Sequence, residues 1–145
     1  MDSVLQESIL YLEKVEQKIC VLSTVSPDHT PESAVMGYAI KEDGSMIFNT
    51  NRNSRKWSNI AVNPSVSICI GWDMKYPFVQ IEGVATRIDK GALYKVSEEF
   101  YFSYHPNSLS YKGNPDTVFI SVRPHWIRLS NMRVTPNIIS ECTLA

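Results

Sequence analysis

Ser54, Arg55 and Lys56 stand together after a polar run, Asn49 to Asn53, and before the apolar residues Trp57, Ile60, Ala61 and Val62. A hydroxyl followed by two cations at the start of a short helix suits an anion. The first N–H groups of a helix lack intrahelical partners, and the helix dipole favours negative charge there. Ser54 adds a donor at the cap. Arg55 can grip two oxygens in a fork, and Lys56 adds a compact charge. A phosphate, with net charge of about minus two and several acceptor oxygens, matches that set. Thr50 and Asn51, at the end of the preceding strand, can add donors. The same residues also fit a plain capped helix with two solvated cations, and residue chemistry leaves both readings open.

These residues need a strand, a turn and a helix to hold them. Met46 to Thr50 reads as the strand and Ser54 to Val62 as the helix, ended by Asn63-Pro64. Around them, Ser3 to Gln17 has helical spacing at Val4, Leu5, Ser8, Ile9, Leu12 and Val15, with Ser3 as the expected cap. Lys18 to Ser26, Pro31 to Ile40, Val66 to Trp72, Pro77 to Asp89 and Thr117 to Leu129 read as strands. Gly44 is expected at positive φ in a turn, Gly83 at a bulge or bend, and Pro124 as an interruption of the last strand. Gly91 to Tyr104 reads as a helix with Leu93, Val96, Phe100 and Tyr104 on its apolar face. His105 to Asp116 reads as a polar loop. The early strands follow one another through short turns, which makes them antiparallel. Six such strands can close into a small barrel, giving a mainly β fold with minor α.

The chain has 145 residues, 43% hydrophobic and 20% charged. That fits one domain spanning 1–145, with a core from about 5 to 130 and a tail over 131–145. Lysine and arginine total 14 against 15 acids, so the formal charge is −1. No global basic field points to nucleic acid or to an anionic membrane, and anion binding must be local. Cys20, Cys69 and Cys142 form no C-x-x-C pair, and Cys20 and Cys69 read as core thiols. His29, His105 and His125 have no metal-ligand spacing, so no metal site is expected. The N-terminus does not read as a signal peptide and no apolar run reaches membrane-spanning length, so a cytoplasmic protein is expected.

Three stretches together resemble one family. The run M-x-F-x-T-N-x-x-S-R-K (Met46, Phe48, Thr50, Asn51, Ser54, Arg55, Lys56) is similar to the FMN phosphate segment of the pyridoxamine 5'-phosphate oxidase-like proteins. N-P-x-V-S (Asn63, Pro64, Val66, Ser67) and E-G-x-A (Glu82, Gly83, Ala85) resemble its next segments. The resemblance covers about residues 5 to 130. It implies an FMN-binding split β-barrel with an N-terminal helix and short peripheral helices, and a homodimer with flavin at the subunit interface. It implies that Ser54, Arg55 and Lys56 bind the FMN phosphate. Asn49 and Thr50 then contact the cofactor from the strand end. The backbone of Ala34, Val35 and Met36 lines the isoalloxazine ring, and Trp126 approaches FMN from the partner subunit.

The departures point away from vitamin B6 phosphate as substrate. Ala34 and Ala39 stand where the true oxidases carry an arginine and a lysine. Phe78 stands near where those enzymes carry a flavin-contacting glutamine, and Ile-Arg-Leu-Ser-Asn follows Trp126 in place of their arginine-histidine substrate signature. The expectation is therefore an FMN-dependent oxidoreductase acting on another small molecule, with NAD(P)H or a similar donor and with the catalytic residues unassigned. The alternatives are a non-catalytic flavin or haem carrier or sensor, and an F420-dependent reductase.

Overall fold

The computed structural model describes residues 1–145. α1 (Ser3–Lys14) opens the chain, followed by β1 (Ile19–Val25), β2 (Pro31–Gly37), β3 (Ala39–Ile40) and β4 (Met46–Asn51). α2 (Arg55–Val62) leads to β5 (Ser65–Ile70) and β6 (Phe78–Ile88). α3 (Gly91–Tyr104) and a 3-10 turn (Pro106–Tyr111) precede β7 (Thr117–Asn131) and β8 (Ile138–Thr143). All strand pairs are antiparallel, in the order β2-β1-β5-β6-β7-β4-β3, with β8 also on β7. The sheet curls into the expected split barrel.

The expected second strand is broken in two, and that break curls the sheet. β2 pairs with β1 up to Gly37, whereas β3 pairs with β4 from Ala39. One continuous stretch of chain thus serves opposite ends of the sheet. Tyr38 makes the corner. It is fully buried, its N–H donates to the Lys18 carbonyl, and its hydroxyl donates to the Leu12 carbonyl at 2.9 Å. Pairing each of these buried polar groups avoids a desolvation penalty at the corner. Burial also pushes the Tyr38 phenol pKa well above its ordinary value.

The barrel interior is filled by Leu22, Phe48, Ile68, Ile81, Ile120 and Ile127, among others, and α1 closes one end with Leu5, Ile9 and Leu12. Asp2, rather than Ser3, caps α1, its carboxylate accepting from the Val4 and Leu5 N–H groups. A second, smaller cluster lies outside the barrel, where α3 packs on Ile47, Ile88 and Phe119. Here the face of α3 differs from the expected one. Ser97, Tyr101 and Phe102 are buried, while Leu93 and Val96 are exposed. Aromatic rings win the buried face because Tyr94, Tyr101 and Phe102 all reach Phe119. Cys69 also departs from expectation. Cys20 is buried, but Cys69 lies on the exposed face of β5.

Pro124 does not interrupt β7. One edge of β7 pairs with β4 through Val122 and then with β8 from Trp126, and Pro124 lies in the gap where no donor is needed. On its other edge the register with β6 slips between Glu82 and Gly83, so Gly83 meets Pro124 while Glu82 meets Trp126. A Cβ on Gly83 would lie 2.6 Å from the Arg123 carbonyl oxygen and 2.8 Å from the Val122 side chain. Backbone cannot step aside as a flexible side chain can, so Gly83→Ala is expected to cost about 1–3 kcal/mol. The urea midpoint should fall; an unchanged midpoint would contradict this account of the bulge. Gly44 has φ +87°, as its turn requires.

Candidate functional site

α2 begins where β4 ends. Ser54 is the N-cap, and its hydroxyl accepts from the Trp57 N–H at 3.4 Å. The Asn51 carbonyl accepts from the Ser54 N–H, which tightens the turn between strand and helix. The helix is pinned at its first turn. The Arg87 guanidinium lies 4.3 Å from the Trp57 ring centroid and donates to the Trp57 carbonyl at 3.2 Å. Trp57 and Ile60 face the barrel interior.

The three residues expected to bind an anion, Ser54, Arg55 and Lys56, occupy the cap and first two positions of α2. Thr50 Oγ1 lies 3.1 Å from Ser54 Oγ and accepts from Lys56 Nζ at 3.3 Å. Lys56 is half-buried and makes no ion pair with a carboxylate. Its pKa is lowered, first by desolvation and then by the neighbouring Arg55 charge. An anion placed there would restore what burial removes, and that gain fades as pH rises through the lowered lysine pKa. Arg55 is mostly exposed and donates one N–H toward Glu32 at 2.8 Å. A guanidinium has five N–H donors, so others stay available. Arg55, Lys56 and Ala34 line a recess of about 80 Å³ together with Leu22, Thr24, Glu32 and Ser33.

The remaining expected residues fall in different places. Ala34 borders the recess, Val35 points outward and is exposed, and Met36 is buried in the barrel. All three lie on β2, whose second edge has no strand partner, so its backbone is open for main-chain contacts. Asn49 precedes Thr50 on β4, and by strand alternation its side chain faces the opposite side from the Lys56 cluster. Trp126 stands on the outer face of β7, opposite Glu82, with the Arg128 guanidinium 5.3 Å from its ring centroid. It does not line the recess. His125 borders a separate recess of about 380 Å³ on the outer sheet face, with Ser23, Ser65, Ser67 and Glu82. No cluster of three potential metal ligands occurs.

Sequence reading missed the polar chain behind the cations. Asn59 is 4% exposed and donates to Glu32 at 2.8 Å and to Thr24 at 3.0 Å. The available signal was spacing: Arg55 and Asn59 lie four apart on α2, hence on one face.

Comparison with known proteins bears on this arrangement. A family model described as pyridoxamine 5'-phosphate oxidase matches residues 7–131. A pyridoxine/pyridoxamine 5'-phosphate oxidase of Bacteroides fragilis is 32% identical over 91 residues, covering 63% of this chain and 37% of that protein. The chain spans less than half the length of the curated relatives it matches. Among solved structures, General Stress Protein 26 of Bacillus anthracis is 27% identical, with TM-score 0.72, covering 97% of this chain and 98% of that one. An F420 reductase is 26% identical, with TM-score 0.63, covering 81% of this chain and 94% of its own. A pyridoxamine 5'-phosphate oxidase-related, FMN-binding protein of Nostoc punctiforme shares the fold at 15% identity and TM-score 0.73, covering 100% and 98%.

Proposed function

The chain belongs to the pyridoxamine 5'-phosphate oxidase family, and on that footing we propose that it is an FMN-binding oxidoreductase acting on a small molecule other than a vitamin B6 phosphate. The observation that carries this reading is Lys56. It is a half-buried cation with no carboxylate partner, tied to Thr50 and beside Arg55 at the start of a helix. Donors and positive charge of this kind fit a phosphate group. Ser54, Arg55 and Lys56 hold the phosphate, and the open edge of β2 positions the ring. When bound, FMN supplies two-electron redox chemistry, with a nicotinamide as the reductant. Protein groups then contribute placement and exclusion of water.

The working unit in this proposal is a homodimer in a reducing compartment such as the cytoplasm. Two features support the homodimer. Where β1, β2 and β5 form the outer sheet face, it carries small or uncharged residues, Val21, Ser23, Val35, Ser67 and Cys69. Trp126 shares that outer face and lies away from its own Arg55 and Lys56, as expected of a residue serving a partner's site. All three cysteines are free, and no helix is long and apolar enough to cross a membrane. The deazaflavin F420 is the second reading, favoured by the 26% identity to an F420 reductase.

The test is the visible spectrum of the purified protein, before and after adding FMN and desalting. Retained flavin bands support FMN. The distinct band of retained F420 favours the second reading, and a protein that keeps neither overturns both.

A further inference from the structure

Glu32 places a carboxylate inside the same charge cluster. It lies on β2, its side chain only 17% exposed, and it bonds Arg55 through Oε2 and Asn59 through Oε1, each at 2.8 Å. Asn59 is anchored in turn on buried Thr24. The carboxylate is therefore held in place from the barrel side, independently of Arg55. Arg55, Lys56 and Glu32 all line one recess, and their formal charges sum to +1, whereas a phosphate monoester carries about −1.5 to −2 near neutral pH.

We propose that Glu32 is a specificity-determining residue of this site: its fixed negative charge lowers affinity for a dianionic phosphate monoester and favours ligands whose phosphate carries a single charge, such as a phosphodiester. This rests on the reading of Arg55 and Lys56 as phosphate ligands. The carboxylate takes one guanidinium donor and repels added anion oxygens at short range, where partial burial weakens solvent screening. The cost grows with the charge of the incoming group. A monoanion meets a matched cluster, and a dianion overfills it. Asn59 and Thr24 keep the carboxylate from swinging out to water, so the charge cannot be relieved by a rotamer change.

Glu32→Gln tests this with little change of shape, because the amide oxygen can still accept from Asn59. Affinities of wild type and E32Q are measured for FMN and for riboflavin, which lacks the phosphate. The expected result is FMN binding tightened by about tenfold with riboflavin unchanged. FMN binding that is unchanged or weaker overturns the proposal. So does an equal shift for both ligands, which would mark an effect through barrel packing. Glu32→Asp is the second variant. It keeps the charge and must not reproduce the E32Q gain; equal tightening in E32D also overturns the proposal. Arg55→Ala/Lys56→Ala, measured alongside, separates the two claims. If that variant loses FMN while E32Q does not gain it, the phosphate site stands and the role of Glu32 falls.

Discussion

Arg55→Ala combined with Lys56→Ala is expected to weaken FMN binding by about 100-fold or more. A hydrogen bond to a charged group contributes roughly 1.5–3 kcal/mol, and two of them correspond to about a hundredfold or more in Kd. Arg55 is largely exposed, so its share belongs at the lower end, where water competes for the same donors. Lys56 is half-buried and hydrogen-bonded to Thr50, so its share is the larger. Lys56→Ala alone should therefore lose more than Arg55→Ala alone. Fluorescence titration of FMN reads both, with riboflavin as the control that neither substitution should move. Unchanged FMN affinity in the double variant would remove the phosphate assignment. Ser54 continues to cap α2 in that variant, so loss of the helix is not an expected by-product.

Phe48→Ala carries the largest expected effect on stability. Phe48 is fully buried in the middle of β4, paired to Ile120 of β7 and packed in the barrel core. Truncating such a ring removes its transfer free energy and leaves a cavity, costing about 3–5 kcal/mol. For a chain of this size that lowers Tm by roughly 10 °C. Thermal unfolding followed by circular dichroism checks it; a drop of less than roughly 3 °C would contradict the packing described here. The loss should reach the site as well, because Phe48 and Thr50 share the barrel side of β4. Partial loosening there would appear as weaker FMN binding even at temperatures where the variant is folded.

Much of the fold was legible because it is local. Alternation marked β1, β4, β5 and β6, turn chemistry placed Gly44 at positive φ, and helical spacing marked α1 and α2. The register slip at Gly83 was legible for a steric reason, since only glycine admits such close backbone. The face of α3 was misread because Leu93 and Val96 are apolar and correctly spaced. What decided the face was Phe119, more than ten residues downstream, onto which the aromatic residues of α3 pack. Pro124 was misread as an interruption for the same kind of reason. Its missing N–H matters only if a neighbouring strand needs it, and strand neighbours are set by the fold. β8 escaped notice because the stretch from Ser130 to Ala145 shows little periodicity of its own, and β7 supplies its ladder.

The sequence by itself determined where the expected anion-binding set lies. Ser54, Arg55 and Lys56 are contiguous, so a strand, a turn and a capped helix are enough to place them at one helix end. It also determined the family, through motifs read in order along the chain. Only the tertiary structure decided what faces those cations. Glu32 lies more than twenty residues upstream, on an edge strand, and it reaches Arg55 because β1 brings β2 alongside α2. The charge of a site is the sum over everything within a few ångströms, and sequence spacing reports only the neighbours on one's own element. The corner at Tyr38 is of the same kind. Nothing local marks the residue at which one strand stops pairing with β1 and starts pairing with β4; closure of the barrel selects it.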